Sequence, residues 1–192
     1  MTQTITRLYD SNEHAQQASQ ALLRAGLTES DISTIANRGV TAPMEAESNA
    51  GTGAATGAGI GGTVGAGAGL LAGVGLMAIP GIGPVVAAGW LAATALGAVA
   101  GAVTGGAAGG IIGSLTNDGM SEDDAHVYAE GIRRGGSMVT ARVPDDRVME
   151  VNRILADYPS VTTADRRAEY GKDGWKRFDE RATPYEPTNR PN

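Results

Sequence analysis

The chain opens on Thr2 to Tyr9 (TQTITRLY), a run rich in β-branched residues that predicts a strand. Asp10 or Ser11 then caps a helix with Glu13 in its first turn. Ala15, Ala18, Leu22 and Ala25 recur at helical spacing, and Gly26 ends the element. Ile32 to Ala36 (ISTIA) predicts a second strand, which completes a β-α-β unit. The same grammar returns late in the chain. Ser121 and Asp124 make a capping-box-like start, and Ala125, Tyr128, Ala129 and Ile132 form one apolar face. Gly135-Gly136 stops that helix. Met138 to Val143 (MVTARV) alternates as a strand does. Asp145 or Asp146 caps a further helix, with Val148, Val151, Ile154 and Leu155 inward, and Pro159 ends it. Val161 to Thr163 is expected to be a last short strand.

Between these two blocks the pattern changes. Gly53, Gly57, Gly61, Gly65, Gly69 and Gly73 recur every fourth residue, and Gly97, Gly101, Gly105, Gly109 and Gly113 do the same. A spacing of four keeps residues near one face of an α-helix, in a slanted row that suits small-xxx-small packing. The two ladders mirror each other about Gly81, with Gly65 opposite Gly97 and Gly53 opposite Gly109. Pro80, Gly81, Gly83 and Pro84 are expected to stop one helix, turn the chain and start the next. Each arm would run roughly 45 Å, longer than the roughly 30 Å hydrocarbon core of a bilayer.

No charged residue stands between Ser48 and Asn117. Thr52, Thr56 and Thr63 lie near the base, whereas Leu70, Leu71, Leu76, Met77, Ile79, Val85, Val86 and Trp90 crowd the tip, which is therefore expected to be the most deeply buried part. A glycine costs a helix about 1 kcal/mol relative to alanine in water, so these arms need lipid or a packed protein partner. Two other readings stand beside insertion: a flexible Gly/Ala linker, and a soluble hairpin buried by its own domain or by copies of itself. The acidic flanks (Glu45, Glu47, Asp118, Glu122, Asp123, Asp124) give the positive-inside rule no support.

Removing the middle leaves β-α-β followed by α-β-α-β. That order fits a small ferredoxin-like α+β sandwich carrying one extra helix, interrupted by a Gly/Ala-rich antiparallel helical hairpin. The expected boundaries are residues 1–40 and 119–165 for the two halves of the domain, 41–50 for a linker, 51–115 for the hairpin, and 166–192 for a polar, partly disordered tail. Trp175, Phe178 and Tyr185 are isolated anchors in that tail, and three prolines between Thr183 and Asn192 disfavour regular structure there.

Charge narrows the partners. The net charge of −6, with only Lys172 and Lys176 as lysines, argues against nucleic acid. The absence of cysteine removes disulfides, thiol catalysis and Cys-ligated metals. Met1 to Arg24 lacks an apolar signal segment, so a cytoplasmic location at the inner face of the membrane is expected.

Candidate chemistry is sparse. Gly57-x-Gly59-x-x-Gly62 spells a dinucleotide fingerprint but lacks the preceding strand and the acidic residue about 20 positions on. No Gly-Lys-Ser/Thr exists. Glu122, His126 and Glu130 share one helix face, where they could hold a metal or poise a base, but a solvated charged face is the expected reading. His14 is expected to face solvent. Arg133 and Arg134 either complement the helix dipole or form an anion or lipid-headgroup contact facing the hairpin base. Trp90, Tyr170 and Trp175 are candidate interfacial anchors. No catalytic residue, cofactor, metal or small-molecule substrate is expected.

The opening strand and helix, IPGIGP (Ile79 to Pro84) and HVYAEGIRRGGSMVTARV (His126 to Val143) together resemble the bacterial general stress protein 17M-like, or heat-induced stress protein, family, which has a central glycine zipper. The resemblance runs from about Thr4 to Thr163, and GWKRFDERATPYE (Gly174 to Glu186) also looks like tails in that family. It implies a stress-associated, membrane-associated protein without catalytic residues. The chain is accordingly expected to be a non-enzymatic protein that inserts in or docks on membrane and self-associates through its hairpin. A soluble homo-oligomer with its hairpins packed in a protein core is the alternative.

Overall fold

The structure, a computed structural model, describes residues 1–37, 75–79, 81–91, 108–179, 181, 182 and 185. In chain order these form β1 (Thr2–Tyr9), α1 (Asn12–Arg24), a 3-10 turn at Glu29–Asp31, β2 (Ile32–Asn37), β3 (Gly75–Ile79), β4 (Gly83–Ala88), α2 (Ala108–Asn117), α3 (Glu122–Arg133), β5 (Ser137–Pro144), a second 3-10 turn at Asp145–Arg147, α4 (Val148–Ala156) and α5 (Thr163–Lys172). The fold is α+β. The strands make one antiparallel sheet in the order β1-β5-β2-β4-β3.

Period-two alternation sends side chains to both faces of this sheet, and helices cover both. On one face Ile5, Tyr9, Ile32, Val139 and Val143 pack with Ala15, Ala18 and Leu22 of α1 and with Val151 and Leu155 of α4. On the other, Leu8, Ile35 and Met138 pack with Ile111 and Leu115 of α2 and with Ala125, Ala129 and Ile132 of α3. Strand β5 lies between β1 and β2, with Ile5 opposite Ala141 and Ile35 opposite Met138. Two polar ties hold α4 down: Arg7 Nη2 donates to Asn152 Oδ1 at 2.7 Å, and the Tyr9 hydroxyl donates to the Leu155 carbonyl at 3.4 Å.

The tip of the middle segment departs from the expected helical hairpin. Gly75–Ile79 and Gly83–Ala88 are strands, joined by a turn in which the Ile82 amide donates to the Ile79 carbonyl at 3.0 Å. Gly81 and Gly83 take the positive φ values (76° and 95°) that such a reversal needs. Pro84 sits in β4 opposite Ala78, while Pro80 lies outside the described residues. The pairing runs from Gly75 opposite Ala87 to Ile79 opposite Gly83, so it is centred on Gly81, the residue about which the glycine ladders mirror.

The physical reason is the edge of β2. That strand offers unpaired backbone groups, and β4 satisfies them from Asn37–Val85 to Thr34–Ala88. Ile82, Val85, Ala87 and Leu91 then join the core formed with α2 and α3. In water this is a better use of the tip than a glycine-rich helix. The tip is therefore buried by the domain's own sheet rather than as a free helical turn.

Three further expectations change. The last strand is a single antiparallel bridge between Val161 and Leu8, because Thr162 accepts from the Asp165 amide at 3.1 Å and so starts α5 at Thr163. The helix α4 has no side-chain N-cap, since Asp145 and Asp146 lie in the 3-10 turn that precedes it. The tail is also more than a polar appendage: α5 occupies Thr163–Lys172, and Phe178 is 6% exposed within the core.

Candidate functional site

The helix α3 carries His126 and Glu130, the two ionisable side chains that are buried among the described residues apart from tyrosines. The Ser121 hydroxyl accepts from the Asp124 amide at 3.2 Å and fixes its start. The Tyr128 hydroxyl donates to the Thr6 carbonyl at 3.1 Å, and burial pushes its pKa up to about 12. Gly131 meets β1 so closely that an added Cβ would lie 2.6 Å from Leu8 Cδ2. The C-terminus closes through Gly135 at φ 97°. Its amide donates to the Ile132 carbonyl at 3.0 Å, and the Gly136 amide donates to the Gly131 carbonyl at 2.9 Å. Asn37, the last described residue before the glycine-rich segment, donates its side-chain amide to the Ile132 and Arg133 carbonyls at 2.8 and 3.2 Å.

Glu130 is 1% exposed. Arg133 holds it bidentately, with Nη2 donating to Oε1 at 2.6 Å and Nε to Oε2 at 2.8 Å, and Arg134 Nε reaches Oε1 at 2.7 Å. The spare charge is met by Asp173, whose Oδ2 accepts from Arg134 Nη1 at 2.9 Å. Two carboxylates and two guanidinia thus balance. The Arg134 guanidinium also lies 4.3 Å from the Tyr170 ring centroid, and Tyr185 lies 5.4 Å from both arginines. Burial opposes the charge on Arg134, but its bonds to Glu130 and Asp173 outweigh that and hold its pKa above the ordinary value.

The guanidinia of Arg133 and Arg134, the candidates for an anion or headgroup contact, are engaged by Glu130, Asp173, Tyr170 and Tyr185. One expectation is corrected: Glu122, His126 and Glu130 are not a solvated face. Only Glu122 is open, whereas His126 is buried and its Nε2 accepts from Arg177 Nη2 at 2.6 Å and Nε at 3.2 Å. Arg177 also pairs with Glu122. Burial foremost, and Arg177 next, lower the His126 pKa below its ordinary value. Among the described residues no group of His, Asp and Glu could hold a metal ion.

The candidate interfacial anchors are engaged inside the domain. Arg142 lies 3.5 Å from the Trp90 ring centroid and pairs with Asp118 at 3.2 Å. Tyr170 is 2% exposed and meets Trp175 edge-on at 5.6 Å. Of the ladder, Gly109 and Gly113 lie on α2, and an added Cβ at Gly113 meets nothing within 4 Å. Gly53, Gly57, Gly61, Gly65, Gly69, Gly73, Gly97, Gly101 and Gly105 lie outside the described residues. Among the described residues no helix is long and apolar enough to cross a membrane.

Sequence reasoning missed Asn37 and Asp173 as partners of this cluster. Asn37 carried no signal beyond ending a strand. Asp173 stood next to a helix-ending glycine, Gly174, which marks a place where a side chain can return toward a neighbouring helix.

No family model, curated protein or solved structure matches the chain.

Proposed function

We propose that the chain is a non-enzymatic, stress-associated protein whose two glycine-ladder arms mediate self-association and dock it on a membrane. The observation that supports this reading is the uncharged stretch from Ser48 to Asn117, with its four-spaced glycines on both sides of a tip that the domain holds in its own sheet. The α+β part acts as the frame. We read its split β1-β5-β2 order, with Val161 bridged to β1, as a ferredoxin-like arrangement. Small residues at a four-residue spacing allow backbones to approach closely, which rewards association between arms or between copies.

A second reading has its own support. Because β3 and β4 tie the tip to the sheet, the ladders could bury one another in a soluble homo-oligomer without lipid. One experiment separates the two: fractionation of the untagged protein, a carbonate wash of the membranes, and sizing without detergent. Retention through the wash supports docking or insertion. A discrete, high-mass soluble species supports the protein-core assembly. A soluble monomer contradicts both.

A further inference from the structure

The segment Trp175–Asp179 belongs to no helix or strand, yet it is fixed at three points. Trp175 packs edge-on against Tyr170. Phe178 is buried in the core that includes Leu115, Ala125 and Ala129. Between them Arg177 pairs with Glu122 and donates to His126. This middle point depends on a titratable ring. A guanidinium only donates, so Nε2 can hold Arg177 only while unprotonated, which places the ring's hydrogen on Nδ1. That Nδ1 is buried and has no partner among the described residues.

The charges around the ring are few. Glu122 Oε1 lies 3.6 Å from Nε2, Asp123 follows on the same helix, and Arg177 approaches from the tail. The helix α2 contributes no titratable side chain, and Arg167 of α5 is taken by Asp124 at 3.0 Å.

We propose that His126 is a proton-operated latch on the C-terminal segment. One solvent proton binds Nε2 and removes the acceptor that Arg177 uses. The resulting imidazolium repels the guanidinium and takes Glu122 as its own hydrogen-bond acceptor. Arg177 thereby loses both partners, and Phe178 withdraws from the core. Only hydrogen bonds are exchanged. The direction agrees with the depressed basicity of the ring in the closed state, caused first by burial and then by Arg177. The segment is closed at neutral pH and opens as the pH falls below the ordinary histidine range of about 6.5. This device is independent of any membrane role.

The test is amide hydrogen exchange on the full chain at about pH 7.5 and about pH 5, which bracket a histidine titration. Protection factors, corrected for the intrinsic rate, are compared for Trp175–Asp179 and for β5. Wild type should lose protection in the segment on acidification, because the closed state binds the proton less readily than the open one, while β5 is unchanged. His126→Gln retains a neutral acceptor and should stay protected at both values. The exposed-side variant Arg177→Met should be less protected at about pH 7.5 and show a smaller acid response, since burial of the ring remains. Should His126→Gln fail to fold, Arg177→Met decides alone. Equal protection of the wild-type segment at both values overturns the latch. So does an undiminished acid response in either variant.

Discussion

The carboxylate of Glu130 and the guanidinium of Arg134 meet at 2.7 Å, with the glutamate 1% exposed and the arginine side chain 16% exposed. A charge so placed is tolerable only while its partners remain. Glu130→Ala should destabilise the domain by about 3–5 kcal/mol, because it leaves two guanidinia facing each other with only Asp173 to compensate. Urea unfolding measures this directly. A loss under about 1 kcal/mol would mean that the cluster is open to water.

Gly131 tests the contact between α3 and β1. An alanine there must displace Leu8, whose Cδ2 lies 2.6 Å from the new Cβ. Gly131→Ala should cost about 1–3 kcal/mol. Adding Leu8→Val should recover part of that loss, because the two sites share one contact. Additive costs for the pair would contradict it.

How legible these features were depended on where their information lies along the chain. The helices α1 and α3 carry their own punctuation. Ser11 and Ser121 accept from nearby amides, and Gly26 and Gly135 follow the last turns at positive φ. Strand β5 announces itself by alternation. The strands β3 and β4 did not, since Leu76, Met77, Ile79, Val85 and Val86 form an apolar run that periodicity alone leaves undecided, and the deciding partner is the distant edge of β2. The site was less legible still. Glu130 one turn before two arginines reads as a surface ion pair. Its burial follows from the approach of Asp173, Tyr170 and Tyr185, which belong to a stretch whose composition marks it as a polar tail.

Phe178 measures how far that tail belongs to the domain. Phe178→Ala should cost about 3–5 kcal/mol and lower the thermal midpoint accordingly, as for other buried aromatics. An unchanged midpoint would make the tail a bystander.

At high pH the buried phenols should dominate. Tyr9, Tyr128 and Tyr170 are each raised to about 12, by burial first. A raised folded-state pKa means that their contribution to stability is complete below about pH 10, the unfolded value, and is lost as the pH rises toward 12. Phenolate absorbance from these three should therefore appear together with unfolding in that window. Titration near pH 10 with the fold intact would contradict their burial.

The central claim is that the glycine ladders are contact surfaces, and light scattering of the untagged chain beside Gly61→Leu and Gly101→Leu tests it most directly. Wild type should form a discrete assembly, in detergent-free buffer or after extraction from membranes. Each variant should fall to a smaller species while its α+β domain stays folded, because a leucine on the ladder holds the backbones apart. Unchanged assembly size in both variants would contradict the ladder as an interface.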